Sequence, residues 1–230
     1  MDLDEEGKKR LTEEYLRALC EENGQYETPK LNDTLYLHFK GFKKIESLEK
    51  YTNLKSLWLE SNGLNKIEGL ENQLSLRMLY LHQNQIETIE NLNHLSRLVN
   101  LNLSNNKIKV ITGLKGLDQL KNLDLVANFI PDTAACAELK ELPKLAALDL
   151  SNNLIEDHDN VLEFFGSLEN LNALKLKGNP AVRKVSRYRK NMTGMCKKLN
   201  YLDDRPVMAV ERMTADAFAR GGKEEEERVL

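Results

Sequence analysis

The stretch Leu54–Leu70 reads LKSLWLESNGLNKIEGL, with leucine or isoleucine at 54, 57, 59, 64, 67 and 70 and Asn62 between them. The same pattern returns from Leu76 as LRMLYLHQNQIETIENL and from Leu98 as LVNLNLSNNKIKVITGL. Self-similarity at a fixed period of about 20–29 residues identifies a chain built from stacked coils. Each coil buries its apolar side only against its neighbours.

Aligning Leu35, Leu57, Leu79, Leu101, Leu123, Leu148, Leu174 and Leu202 extends the register in both directions, with steps of 22, 22, 22, 22, 25, 26 and 28 residues. Each step centres on LxLxx followed by Asn or a substitute. Side chains alternate along a strand, so Leu57 and Leu59 point into the core while positions 56, 58 and 60 face the other way. Eight such strands stacked in parallel at about 4.8 Å make a sheet roughly 34 Å across. The expected fold is α/β: a right-handed leucine-rich-repeat solenoid of the 22-residue class. It has a parallel concave sheet, an N-terminal helical cap and a C-terminal cap.

Asn62, Asn84, Asn106, Asn128, Asn153 and Asn179 follow the strands, and Lys40 takes the slot in the first coil. A turn leaves backbone N–H and C=O groups unpaired inside a coil, and a short side-chain amide satisfies both kinds. These asparagines read as a structural ladder. A 22-residue coil leaves about ten residues for its convex return, which predicts 3₁₀-type turns rather than helix. The longer coils leave room for short helices at Thr133–Leu142 and Asn160–Leu168.

Five segments follow in chain order. Residues 1–11 form an acidic N-terminus, expected to be disordered up to about Lys8. Residues 12–30 carry the capping helix, with Thr12 as N-cap, Glu13 and Glu14 in the first turn and Asn23-Gly24 as the stop. Residues 31–180 are the repeats. Residues 181–222 form the C-terminal cap, with a helix within Ser186–Lys198 and a last strand at Leu199–Asp203. Pro206 is expected to end the sheet, and a final helix, Glu211–Arg220, to stop at Gly221-Gly222. Residues 223–230 are a charged tail expected to project into solvent.

The bulk composition narrows the function. At 230 residues, 41% hydrophobic and 30% charged, the chain is an ordinary folded protein, and its net charge of −3 implies no global attraction to nucleic acid. The N-terminus lacks the apolar run of a signal peptide, and no stretch approaches the roughly 20 apolar residues of a membrane span. No membrane partner is expected. Cys20, Cys136 and Cys196 are widely spaced and odd in number. They suit neither a disulfide framework nor a zinc site and read as buried apolar residues of a reducing, intracellular compartment.

The outward strand positions form three columns. The central one runs Tyr36, Trp58, Tyr80, Asn102, Asp124, Asp149, Lys175; beside it run His38, Glu60, His82, Ser104, Val126, Ser151, Lys177; on the other side run Thr34, Ser56, Met78, Asn100, Asn122, Ala147, Ala173. Three large aromatics in a row on a rigid concave face resemble the anchors that dominate protein interfaces. Packing along the sheet for stability alone is the competing reading. The protein-binding candidates are Tyr36, His38, Trp58, Glu60, Met78, Tyr80, His82, Asn102, Asp124, Asp149 and Lys175. Their succession of apolar, acidic and basic zones favours a protein partner over a uniformly charged polymer.

His38, Glu60 and His82 share a column, but the outer two strands lie roughly 10 Å apart, too far for zinc bonds of about 2.0–2.2 Å. A solvated polar rim is expected there. No GxSxG, HExxH or P-loop run occurs, so neither enzyme activity, a metal nor a cofactor is expected. From Asn170 to Leu202 the chain has no acidic residue. Arg183, Lys184, Arg187, Arg189 and Lys190 then form a candidate basic patch for tubulin or another acidic protein. With few aromatics interleaved, nucleic acid is disfavoured.

Three stretches carry a family resemblance: LNDTLYLHFKGFKKIESLEKYTNLKSLWLESNG (Leu31–Gly63), YLDDRPV (Tyr201–Val207) and AFARGG (Ala217–Gly222). From about Thr12 to Gly222 the chain resembles the dynein axonemal assembly factor 1 family, whose members continue beyond their repeats. The resemblance implies a scaffold for cytoplasmic preassembly of axonemal dynein arms, in cytoplasm and cilium or flagellum. Its implied partners are dynein chains or assembly chaperones. The alternatives are a structural axonemal subunit, like the axonemal dynein light chain 1, and an RNA-associated adaptor, like the spliceosomal A-prime protein.

Overall fold

The structure is a computed structural model that describes residues 3, 7 and 9–230. The disorder expected up to Lys8 therefore falls largely outside the described residues. Helix α1 (Glu13–Glu22) begins as its sequence dictates: Thr12 is extended, and its Oγ1 accepts the Tyr15 N–H at 3.2 Å. Leu16, Leu19 and Cys20 are buried beside Leu11, and the Tyr15 ring meets Phe42 edge-on at 5.5 Å. The helix thus covers the apolar end that a first coil would otherwise expose.

Nine strands form one sheet in chain order: β1 (Thr34–Tyr36), β2 (Ser56–Trp58), β3 (Met78–Tyr80), β4 (Asn100–Asn102), β5 (Asn122–Asp124), β6 (Ala147–Asp149), β7 (Ala173–Lys175), β8 (Tyr201–Leu202) and β9 (Arg205–Pro206). The first eight are parallel, and the aligned leucines stand in one register from Leu35 to Leu202. Each of those leucines is at most 2% exposed. At about 1.5–3 kcal/mol per buried leucine, this row and its companions supply the main driving force.

The asparagine ladder forms as read. Asn106 Nδ2 donates to the Leu81 and Leu103 carbonyls at 3.0 Å each, and its Oδ1 accepts the Ile86 N–H at 3.0 Å. Asn62, Asn84, Asn128, Asn153 and Asn179 repeat this pattern between neighbouring coils. The residue before each of the first five lies in the left-handed region, at φ between 54 and 57°. This sharp reversal points the amide inward. One rung was not read from the sequence: Asp203 Oδ1 accepts the Leu176 and Lys177 N–H groups at 2.8 and 3.0 Å, closing the ladder at the last coil.

Convex returns of the 22-residue coils are isolated turns, such as Leu76 N–H to Gln73 O at 2.9 Å. A second left-handed position recurs there, at Ser47, Gly69, Asn91 and Gly113. A Cβ on Gly113 would stand 2.3 Å from the Ile89 carbonyl oxygen, which is why glycine serves that turn. Helical structure appears only where the coils lengthen, as a 3₁₀ helix at Ala134–Glu141 and α2 at Val161–Gly166.

The C-terminal cap departs from expectation in two places. Pro206 does lie at the end of the sheet, but Leu199–Asp203 is not the last strand: β9 turns back and pairs antiparallel with β8, Tyr201 opposite Pro206. As an edge strand, β9 needs no ladder donor on its outer side, so the missing N–H breaks nothing. After α3 (Pro180–Lys184) and α4 (Tyr188–Met195), α5 (Ala209–Glu227) is interrupted at Gly221 and Gly222, where the backbone leaves helical geometry. Helix then resumes, and the tail folds back instead of projecting, with Lys190 Nζ donating to Glu226.

Candidate functional site

The concave face follows from strand alternation. With the leucines inward, Tyr36, Trp58, Tyr80, Asn102, Asp124, Asp149 and Lys175 align outward in the register predicted for them. Trp58 and Tyr80 stack with ring centroids 3.9 Å apart and planes 20° apart; Tyr36 continues the row at 6.1 Å from Trp58. Tyr36 is 41% exposed, while Trp58 and Tyr80 are half-buried by each other. Met78 sits against the stack, its Sδ 3.7 Å from the Tyr80 hydroxyl that donates to it. The result is a rigid aromatic platform with one open face.

The strip of His38, Glu60 and His82 is a solvated rim only in part: the His38 side chain is 38% exposed and His82 is half-buried. Glu60, on the strand between the two histidines, is only 8% exposed. Its Oε1 lies 3.9 Å from His38 Nδ1, beyond hydrogen-bond range. The other oxygen, Oε2, and Nδ1 of both histidines have no hydrogen-bond partner among the described residues. A compact polar strip therefore borders the aromatics with part of its bonding capacity unused.

The acidic zone does local structural work as well. Asn102 Oδ1 accepts the Ser104 N–H at 3.0 Å, Asp124 Oδ1 the Val126 N–H at 3.1 Å, and Asp149 Oδ1 the Ser151 N–H at 3.0 Å. Each cap closes the end of its strand. Asp149 is further paired with Lys175 at 3.0 Å, and that contact raises the Lys175 pKa. Burial pushes the Asp124 carboxyl above its ordinary value, against the bond from Val126.

Sequence reasoning missed one consequence of the third column. Ala147 and Ala173 are too small to fill their share of the face, and a hollow of about 290 Å³ opens beside Tyr80, Asp124 and Lys175. Alanine at two successive outward positions was the available signal. At that volume the hollow stands at the lower end of the roughly 300–1,000 Å³ of small-molecule sites and is large enough for a side chain from a partner.

The basic end divides. Arg189 Nε and Nη2 hold Glu211 at 2.5 and 2.9 Å, while Nη1 and Nη2 donate to the Leu202 and Pro206 carbonyls at 2.8 and 2.9 Å. Lys190 pairs with Glu226 and, like Arg187, lies over the Phe218 ring. These contacts lock α4 to α5 and lower the Glu211 pKa, chiefly through the Arg189 hydrogen bonds. Arg183 and Lys184 remain exposed. The five-residue patch read from the sequence is thus partly an internal clamp.

A leucine-rich-repeat family model matches residues 77–228. The chain belongs to the leucine-rich-repeat family. It is 62% identical over 221 residues to the dynein axonemal assembly factor 1 of Homo sapiens, a match that covers 95% of this chain and 30% of that protein. The Peromyscus polionotus protein of the same name is 61% identical over 230 residues, 99% of this chain and 37% of its own length. The family resemblance read from Leu31–Gly63 and AFARGG is therefore met by relatives bearing that name. This chain spans about a third of their length. Among solved structures, an internalin of Listeria monocytogenes superposes with a TM-score of 0.62 at 23% identity, over 88% of this chain and 65% of that one. That likeness concerns the fold.

Proposed function

We propose that this repeat domain is a non-enzymatic scaffold that holds axonemal dynein chains, or the chaperones that fold them, during cytoplasmic preassembly of dynein arms. The observation that carries this reading is the Trp58–Tyr80 stack, with Tyr36 beside it, open on the concave face of a domain whose relatives are named for dynein assembly. Rigid aromatics contribute large contact area at little entropic cost, and such residues dominate interface energies. The strip of Glu60 and the two histidines supplies polar groups beside them, and the hollow between Tyr80 and Lys175 accommodates a protruding side chain.

The domain works in the cytoplasm of cells that build motile cilia or flagella, and acts before the arms reach the axoneme. The experiment is fractionation of ciliated cells expressing the tagged protein, with dynein chains and chaperones identified by mass spectrometry. This reading expects a detergent-soluble cytoplasmic pool in complex with immature dynein chains. A protein found only in axonemes and released only with mature arms would instead be a structural axonemal subunit.

A further inference from the structure

A row of unassigned positive charge lies on the edge where the strands begin. Backbone bonds from Lys55 N–H to Asp33 O, Arg77 to Lys55, Val99 to Arg77, Lys121 to Val99 and Ala146 to Lys121, all 2.7–2.9 Å, place those residues in one column across the coils. The residues two positions earlier form a second column, whose neighbours touch: Lys144 Nζ donates to Gln119 at 2.7 Å, and Lys198 Nζ to Asn170 at 2.8 Å. Read together, each coil from β2 to β6 contributes one cation: Lys55, Arg77, Arg97, Lys121 and Lys144. Neighbouring coils lie about 4.8 Å apart, with Arg97 and Lys144 set two residues earlier along their coils than Lys55, Arg77 and Lys121.

Within these two columns the sole carboxylate is Asp33, and Lys55 already holds it at 3.3 Å. Arg77, Arg97 and Lys121 are exposed and make no ion pair among the described residues. A groove of about 410 Å³ runs past Lys30, Asn53, Ser75, Arg77 and Arg97. On a chain of net charge −3, such a run is a local feature and not a reflection of composition.

We infer that this edge is a second interaction surface, separate from the concave face, which takes an extended acidic peptide segment of a partner protein along the solenoid axis. The cations give each acidic side chain a counter-charge on successive coils. Asn53, Ser75 and Gln119 lie between them and offer bonds to a peptide backbone. The columns carry no aromatic side chain on which a base would stack, so a protein segment fits better than a single-stranded nucleic acid.

Fluorescence anisotropy with a labelled oligo-glutamate peptide tests this, using the chain as it stands. The wild type should bind the peptide, more weakly as salt rises. The variant Arg77→Glu, Arg97→Glu, Lys121→Glu should weaken binding about tenfold or more, and glutamine at the same positions should do so to a smaller degree. Melting curves for both variants should match the wild type. Trp58→Ala with Tyr80→Ala should leave peptide binding unchanged, so a failure of the concave-face proposal does not touch this one. Unchanged affinity in the glutamate variant, or loss of binding in the aromatic one, overturns the assignment. Tighter binding of an RNA oligonucleotide of equal charge overturns it too.

Discussion

Trp58 and Tyr80 lie face to face across adjacent strands, 3.9 Å between ring centroids, on the side of the sheet that no other layer of the described residues covers. Such a pair contributes about 0.5–1.5 kcal/mol beyond its buried area. Trp58→Phe should retain most of the stacking and melt within a few degrees of wild type. Trp58→Ala should lose the stacking contribution together with the area the half-buried ring covers, about 2–3 kcal/mol in urea unfolding, with little change in far-ultraviolet circular dichroism. A loss several times larger would mean that the ring is a core residue and not a platform.

Asn106 is 4% exposed and satisfies three backbone groups from two coils. Asn106→Ala leaves the Ile86 N–H buried without a partner, at about 1–3 kcal/mol, and removes one bond each from the Leu81 and Leu103 carbonyls, which keep Asn84 and Asn128. The variant should melt well below wild type, and hydrogen exchange should quicken at the Ile86 amide. An unaltered melting curve would contradict the ladder.

Asp203 offers a separate check on the last rung. It uses one carboxylate oxygen to accept two N–H groups, and an amide oxygen can do the same. Asp203→Asn should therefore be nearly neutral, whereas Asp203→Ala should loosen the C-terminal cap and expose Leu174–Lys177 amides to exchange. Equal destabilisation by both substitutions would point to the charge instead.

The cap should be acid-sensitive. The Arg189 hydrogen bonds lower the Glu211 pKa in the folded state from its ordinary 4.5. A carboxylate held below its unfolded value contributes stability above that value, and the contribution is lost as pH falls through the folded one. Stability should begin to drop below about pH 4.5, and Glu211→Gln should flatten that part of the pH profile. Charge reversal at Arg189 or Lys190 should unfold the cap rather than remove a surface contact, which circular dichroism of α4 and α5 would reveal.

The reach of the sequence can be judged from these residues. The leucine register, the ladder asparagines and the outward aromatic row were legible because a repeat of fixed period and a strand of period two determine which way each side chain points. The fate of Arg189 and Lys190 was not, since their partners Glu211 and Glu226 lie 22 and 36 residues away and meet them only when α5 packs on α4. The short strand around Pro206 was missed because the rule against proline in a sheet concerns positions whose N–H is needed, and an edge strand leaves one side free. The cationic edge escaped notice because its members stand about one repeat apart, diluted by acidic residues that face elsewhere.

The central claim is that the concave aromatic platform is where partners bind. Affinity purification from ciliated cells, comparing wild type with Trp58→Ala, Tyr80→Ala and reading out dynein chains and chaperones by quantitative mass spectrometry, tests it most directly. The account predicts that those proteins are recovered with the wild type and lost with the double variant while its far-ultraviolet spectrum is unchanged. Undiminished recovery with a folded double variant would contradict it.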